Sequence, residues 1–184
     1  MWEQAELDDS LAGYAKKMLP QIDLNQPVVL IGLSFGGLLA VELSKLIDHC
    51  QTIVISSAVR SSYFPKKYKL FGTRRSIYKV PFSIIRKANF IANYFFGVKE
   101  KEHKALLKEI LLNSDEFFFK WGLNSIFLWE NDYIPPDLTI IHGTNDKIFP
   151  NMEPNAIAIE GGGHFMVLDK AKLISNVLSR ILKD

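Results

Sequence analysis

The pattern of apolar and polar positions divides the chain into short buried strands that alternate with helices. Four runs consist almost entirely of apolar and β-branched residues, as parallel strands covered on both faces do: residues 28–31, 52–55, 138–142 and 156–159. Apolar residues three or four positions apart predict helices around them, over residues 3–19, 38–47 and 167–182. This alternation predicts an α/β fold with a parallel sheet of about four strands.

The segment between the second and third predicted strands has a different character. Residues 61–133 are basic, aromatic and largely helical, and one helix is expected to run from Ser114, as its N-cap, to Trp129. Pro135 and Pro136 close the segment. We therefore expect residues 1–60 and 134–184 to form the α/β core, with residues 61–133 inserted into it as a helical cap.

The composition is that of one ordinary globular domain. The chain has 184 residues, of which 48% are hydrophobic and 23% charged, and a domain of this size buries enough apolar surface to fold without disulfides. The single cysteine, Cys50, excludes an intrachain disulfide and argues against a cysteine-based zinc site. The four histidines share no ligand-like spacing, so neither a metal nor another cofactor is expected.

Charge is unevenly distributed, although the net charge is only +2. Residues 60–99 hold ten Lys or Arg, ten aromatic residues and no Asp or Glu. Interleaved basic and aromatic residues can bind single-stranded nucleic acid. The sequence contains no recognisable nucleic-acid-binding module, so no nucleic-acid partner is expected.

The sequence also bears on the location of the protein. The N-terminus lacks a basic region followed by an apolar run, and the uncharged stretch over residues 26–41 is interrupted by proline and glycines. A cytoplasmic protein without stable membrane insertion is therefore expected.

The sharpest chemical signal is Gly32-Leu33-Ser34-Phe35-Gly36, which fits Gly-x-Ser-x-Gly. It lies between a predicted strand and a predicted helix, the context in which this motif holds a nucleophilic serine on a tight turn. The backbone N–H of Phe35, at the start of the helix, would point towards a developing oxyanion. Ser34 is the candidate nucleophile, and the alternative is a glycine-rich turn with an incidental serine.

A serine hydroxyl is a poor nucleophile at neutral pH, so it needs a base and a group that orients the base. Asp146 lies four residues past the third predicted strand, and His164 lies on a glycine loop after the fourth. Asp146 could instead be a turn residue, and His164 a loop histidine bonded to the backbone. His142, at the end of the third strand, is the competing candidate for the base.

Three motifs together resemble the α/β-hydrolase superfamily, especially its small bacterial esterase-like members with a helical cap. They are Gly32-Leu33-Ser34-Phe35-Gly36-Gly37, the run from His142 to Pro150, and Gly162-Gly163-His164-Phe165. Their order is the serine–acid–histidine order of that fold. The resemblance implies Ser34 as nucleophile, His164 as general base and then acid, and Asp146 as the residue that orients it.

The resemblance also implies a shortened fold. A full α/β-hydrolase has about eight strands, and this chain begins at what looks like the helix before the strand that carries the serine. The loop that normally supplies the second oxyanion donor is therefore expected to be absent, which leaves Phe35 N–H alone. The strand Val28 to Ile31 would lie at the sheet edge and is too apolar to be left open. We expect another copy of the chain, or a missing N-terminal segment, to cover it.

These observations favour a serine hydrolase that acts on a small-molecule carboxylic ester or thioester through an acyl-enzyme at Ser34. Two alternatives remain open. The site could be incomplete and the protein a non-catalytic binding module, or the same fold could carry out non-hydrolytic chemistry such as acyl transfer.

Overall fold

A four-stranded parallel sheet forms the centre of the described part of the chain. The computed structural model describes residues 2–64, 77–83, 89–150 and 153–183. The strands are β1 (Val29–Leu33), β2 (Gln51–Ile55), β3 (Leu138–Gly143) and β4 (Ile157–Ile159), and they lie side by side in that order. The predicted α/β fold with a parallel sheet is confirmed, and the four strands fall where the apolar runs predict them.

Helices and short 3₁₀ turns surround this sheet. The α-helices are α1 (Leu11–Met18), α2 (Phe35–Ser44), α3 (Asn89–Phe96), α4 (Lys101–Asn113), α5 (Glu116–Leu128), α6 (Met166–Asp169) and α7 (Ala171–Ile181). The 3₁₀ turns are Leu19–Gln21, Ser61–Tyr63 and Ile77–Lys79. Among the residues described, no helix is long and apolar enough to span a bilayer.

The strand register places the carboxyl ends of the strands at one level. Leu33 pairs with Ile55, Ile55 with Ile141, and Gly143 with Ile159. Because parallel strands expose their carboxyl ends at the same edge, the residues that follow β1, β2, β3 and β4 meet there. The candidate residues Ser34, Asp146 and His164 lie at this edge of the sheet.

Each face of the sheet packs against a separate apolar cluster. In β2, Ile53 and Ile55 face a cluster that includes Ile141 and Ile174 of α7, whereas Val54 faces the larger cluster built on α1 and α2. Successive side chains of a strand point to opposite faces, so a continuous apolar run suits a strand that is covered on both. β1 lies at the edge of the described sheet, and its Val29 and Ile31 are 43% and 48% exposed.

The first helix is shorter than the predicted range of residues 3–19. α1 begins only at Leu11, because Ser10 adopts an extended conformation and its Oγ accepts the N–H of Gly13 at 3.1 Å. The Asp9 carboxylate accepts the N–H of Glu6 at 2.7 Å, which turns the preceding segment away from helix geometry. The periodicity of apolar residues does not reveal these local bonds, so the predicted start was wrong.

Helices α3, α4 and α5 lie between β2 and β3, where the sequence predicts an inserted helical segment. Asp115, rather than Ser114, is the N-cap of α5, and its Oδ1 accepts the N–H of Phe118 at 2.7 Å. Ser114 instead ends α4 and donates its hydroxyl to the carbonyl of Ile110. Residues 65–76 and 84–88 of the predicted cap lie outside the described residues.

Candidate active site

Ser34 lies on a tight reversal between β1 and α2. Its backbone has φ 52° and ψ −118°, a combination that L residues rarely adopt. Three hydrogen bonds hold this conformation: the Ser34 N–H donates to Ile55 O at 3.0 Å, and its carbonyl accepts from Gly37 N–H at 2.9 Å and Ser57 Oγ at 2.6 Å. The surrounding structure therefore fixes the strained turn, as it must for such a residue to persist.

The two glycines of the motif differ in how much space the turn leaves for a side chain. A Cβ on Gly32 would lie 2.2 Å from the carbonyl oxygen of Gly36, a separation that the backbone cannot allow. A Cβ on Gly36 itself would meet nothing within 4 Å. The motif therefore needs the first glycine for the close approach of β1 and α2, whereas the second fills no comparable steric need.

Ser34, His164 and Asp146 form a continuous chain of hydrogen bonds. His164 Nε2 lies 2.7 Å from Ser34 Oγ, and His164 Nδ1 lies 2.8 Å from Asp146 Oδ2. Because the carboxylate can only accept, Nδ1 carries the hydrogen, and Nε2 accepts the hydroxyl of Ser34. His164 and Asp146 are buried, while Ser34 remains partly exposed to solvent. This arrangement can remove a proton from the serine as it attacks an electrophile.

The two carboxylate oxygens of Asp146 have separate partners. Oδ1 accepts the backbone N–H groups of Ile148 and Phe149 at 2.8 and 2.9 Å, whereas Oδ2 faces His164. The alternative interpretation of Asp146 as a turn residue is thus compatible with the chemical one, because a different oxygen serves each role. The turn orients the carboxylate towards the imidazole.

The loops after β3 and β4 approach closely because both carry glycine at the contact. A Cβ on Gly143 would lie 2.3 Å from the carbonyl oxygen of Gly162, and that carbonyl accepts the N–H of Asn145 at 2.9 Å. Gly161 has a φ of 68°, which favours glycine. The close contact brings the loop with Asp146 beside the loop with His164.

Aromatic rings fix the position of the His164 imidazole. The ring of Phe96, at the end of α3, meets it edge-on with centroids 5.3 Å apart, and Phe149 lies 5.6 Å away. The Phe96 carbonyl also accepts the N–H of Phe165 at 3.0 Å. No local pattern in the sequence relates Phe96 to a histidine 68 residues later, so this contact is not predictable from spacing.

The competing histidine, His142, does not reach the serine. It is buried on β3, with its Nε2 2.8 Å from the carbonyl oxygen of Phe149 and 3.7 Å from Asp146 Oδ2. His142 is therefore bonded to the backbone of Phe149, and the imidazole that meets Ser34 Oγ is that of His164. Within the described residues, no group of three or more His, Cys, Asp or Glu side chains is arranged to hold a metal ion.

The backbone N–H of Phe35 lies at the start of α2, where the sequence predicts a donor to an oxyanion. Phe35 is the first residue of α2, and the N–H groups of a first helical turn have no acceptor within the helix. Its ring packs edge-on against Trp121 at 5.7 Å and lies 6.1 Å from the ring of Trp2. These contacts tie the start of α2 both to α5 of the inserted segment and to the N-terminal stretch.

Comparison with known proteins assigns the chain to a family. A sequence profile described as the alpha/beta hydrolase family matches residues 2–176. The chain belongs to the alpha/beta hydrolase family. The resemblance inferred from the three motifs is thereby confirmed. A search of curated protein sequences finds no match to the chain.

Solved structures show the same fold at low sequence identity. MenH from S. aureus is 13% identical with a TM-score of 0.73, and the match covers 98% of this chain and 79% of that one. A bromoperoxidase from Bacillus anthracis is 19% identical with a TM-score of 0.65, covering 100% and 76%. A thermophilic esterase from Thermogutta terrifontis is 16% identical with a TM-score of 0.67, covering 95% and 72%. The chain thus matches about three quarters of each structure.

Proposed function

We propose that this alpha/beta hydrolase is a serine hydrolase of carboxylic esters or thioesters, with Ser34, His164 and Asp146 as its catalytic triad. The observation that carries the proposal is the unbroken chain of hydrogen bonds at 2.7 and 2.8 Å that joins the three side chains. The strained backbone of Ser34 supports it further, since strain in a residue held at the end of a sheet is typical of a nucleophile.

The reaction proceeds through an acyl-enzyme. Ser34 Oγ attacks the substrate carbonyl while His164 Nε2 takes the hydroxyl proton, and the Asp146 carboxylate stabilises the resulting imidazolium. His164 then gives this proton to the departing alcohol or thiol as the bond to the acyl carbon breaks. Water attacks the acyl-enzyme, His164 accepts its proton and returns it to Ser34, and the carboxylic acid leaves. The N–H of Phe35 donates to the oxyanion in both steps.

The inserted segment, residues 61–133, acts as a cap over the core formed by residues 1–60 and 134–184. Support comes from two contacts near the triad: Phe96 packs on His164, and Trp121 packs on Phe35. Both rings are apolar surfaces that exclude water beside the reacting groups, and closed sites of this kind strengthen electrostatic interactions within them.

The exposed edge of strand β1 is proposed to pair with a further polypeptide. This polypeptide is either a second copy of the chain or an N-terminal segment outside this sequence. Val29 and Ile31 are exposed, and an apolar hollow of about 320 Å³ lined by Trp2, Leu39 and Leu43 lies beside Ile31. An exposed apolar edge readily pairs with another strand. Light scattering coupled to size exclusion tests this proposal. A dimer that Ile31→Lys dissociates indicates a second copy, and a soluble monomer in both proteins contradicts that occupant.

The proposed function is tested by hydrolysis of a panel of p-nitrophenyl esters and acyl thioesters of increasing chain length. We expect turnover in wild type, and a fall in kcat of about 10³-fold or more in Ser34→Ala and His164→Gln. Ser44→Ala is the matched control, because Ser44 is a buried serine of α2 that takes no part in the triad. Equal activity in Ser34→Ala and wild type would refute the proposal.

A further inference from the structure

A second buried histidine lies beside the acid of the triad, beyond hydrogen-bonding distance. His142 is 2% exposed, and its Nε2 lies 2.8 Å from the carbonyl oxygen of Phe149. A carbonyl oxygen can only accept, so Nε2 carries the hydrogen and donates it to Phe149. The distance from Nε2 to Asp146 Oδ2 is 3.7 Å, which is too long for a hydrogen bond. His142 therefore lies beside the acid, but its hydrogen bond goes to Phe149.

Phe149 connects His142 to both catalytic partners of the serine. Its carbonyl accepts from His142, and its own N–H donates to Asp146 Oδ1 at 2.9 Å. Its ring, which is 1% exposed, packs against the His164 imidazole with centroids 5.6 Å apart. One residue thus contacts the acid through its backbone and the base through its side chain.

Hydrogen bonds hold both ends of the loop between β3 and Phe149. At its near end, the Asp146 N–H donates to Gly143 O at 3.1 Å, which closes a turn. At its far end, the bond from His142 ties the Phe149 backbone to the last turn of the buried strand. His142 belongs to the sheet, where it pairs with Ala158 of β4, so it is a rigid anchor for the loop.

We propose that His142 is a positioning residue, which orients Asp146 and His164 by holding the Phe149 backbone. Release of the Phe149 carbonyl lets the loop relax, so Oδ2 of Asp146 no longer aligns with His164 Nδ1. The Nδ1 of His142 is buried without a hydrogen-bond partner among the described residues, so within them the imidazole is hydrogen-bonded only through Nε2. This inference rests on the proposed function, because it concerns the same triad.

Two substitutions of His142, by amide side chains that differ in length, test the proposal. In His142→Gln the side-chain N–H lies near the position of Nε2 and reaches the Phe149 carbonyl, whereas in His142→Asn it is too short. We expect kcat to fall roughly 10- to 100-fold in His142→Asn, with KM nearly unchanged, because a misplacement of about 1 Å can cost about 10²-fold. His142→Gln should recover most of the activity.

A spectroscopic measurement separates this inference from the proposed function. The hydrogen bond between His164 Nδ1 and Asp146 gives a low-field exchangeable proton in the ¹H NMR spectrum, whether or not the protein turns over an ester. This signal should be present in wild type and His142→Gln, and lost or shifted upfield in His142→Asn. Thermal unfolding of each variant checks that the chain is folded.

Two results would overturn the positioning role. An unchanged low-field signal in folded His142→Asn would show that the imidazole does not orient the pair. An equal loss of kcat in His142→Asn and His142→Gln, with the low-field signal intact, would show that the imidazole does not act by donating to the Phe149 carbonyl. Failure of wild type to hydrolyse any ester, with the signals behaving as expected, would refute the proposed function alone.

Discussion

At most positions an alanine variant is more stable than a glycine variant. The strained backbone of Ser34 should reverse this order of stability. Replacing Ser34 by either residue removes the same hydroxyl and the same hydrogen bond to His164. The two variants then differ in the Cβ, which at φ 52° and ψ −118° is held in a conformation that only glycine adopts readily. We therefore predict that Ser34→Gly is more stable than Ser34→Ala.

The expected magnitude follows from two opposing effects. Strain at a sparsely populated backbone conformation costs about 1–3 kcal/mol, and glycine removes it. Glycine also loses more conformational entropy on folding, which costs about 0.5–1 kcal/mol relative to alanine. The free energy of unfolding should therefore favour Ser34→Gly by about 1 kcal/mol. For a domain of this size, that difference raises Tm by about 2–4 °C.

Urea unfolding followed by circular dichroism, together with thermal melts, measures this difference. Ser44 provides the matched control, since it is a buried serine at the end of α2 with ordinary helical geometry and a bond to Val41 O at 2.8 Å. There the ranking should be the usual one, with Ser44→Ala more stable than Ser44→Gly by about 0.5–1 kcal/mol. The same ranking at Ser34 would refute the idea that its backbone is strained.

Two further predictions concern the turn and the N-terminal stretch. Gly32→Ala should destabilise the protein by about 1–3 kcal/mol, because the new Cβ lies 2.2 Å from the carbonyl oxygen of Gly36. Gly36→Ala should be neutral or stabilising, because its Cβ meets nothing within 4 Å. Equal urea midpoints for the two variants would contradict this prediction. Tyr14→Phe loses the bond from the Tyr14 hydroxyl to Glu3 O at 2.8 Å and should cost about 1 kcal/mol at neutral pH. Burial raises the pKa of Tyr14 above its ordinary value of 10.0, so ionisation favours the unfolded chain and wild type should lose this advantage as pH rises past about 10. Urea midpoints from pH 7 to pH 11 measure the change, and a constant difference would contradict the assignment.

The sequence predicts most of the sheet and the members of the candidate triad. The strand positions follow from continuous apolar runs, which suit strands such as β2 that are buried on both faces. Ser34, Asp146 and His164 each follow a strand, and parallel strands bring their carboxyl ends together whatever the distance along the chain. For this reason a local motif and an order of residues suffice to predict that these three side chains come together.

Contacts that depend on packing between distant segments are beyond such reasoning. Phe96 packs on His164, and Trp2 lies against Phe35, but no periodicity or spacing relates either pair. The predicted start of α1 is also wrong, because the hydrogen bond that Ser10 Oγ accepts from the N–H of Gly13 outweighs the apolar spacing before it. Such details come from the competition between local bonds and tertiary packing, which the pattern of residues does not encode.

Covalent labelling tests the central claim most directly, namely that Ser34 is a nucleophile activated by His164. Intact mass is measured after exposure of folded wild type, Ser34→Ala and His164→Gln to a fluorophosphonate. We predict a single adduct on wild type, none on Ser34→Ala, and greatly slowed labelling of His164→Gln, because the base is then absent. Folded wild type that takes up no adduct, or an adduct that persists in Ser34→Ala, would contradict the account.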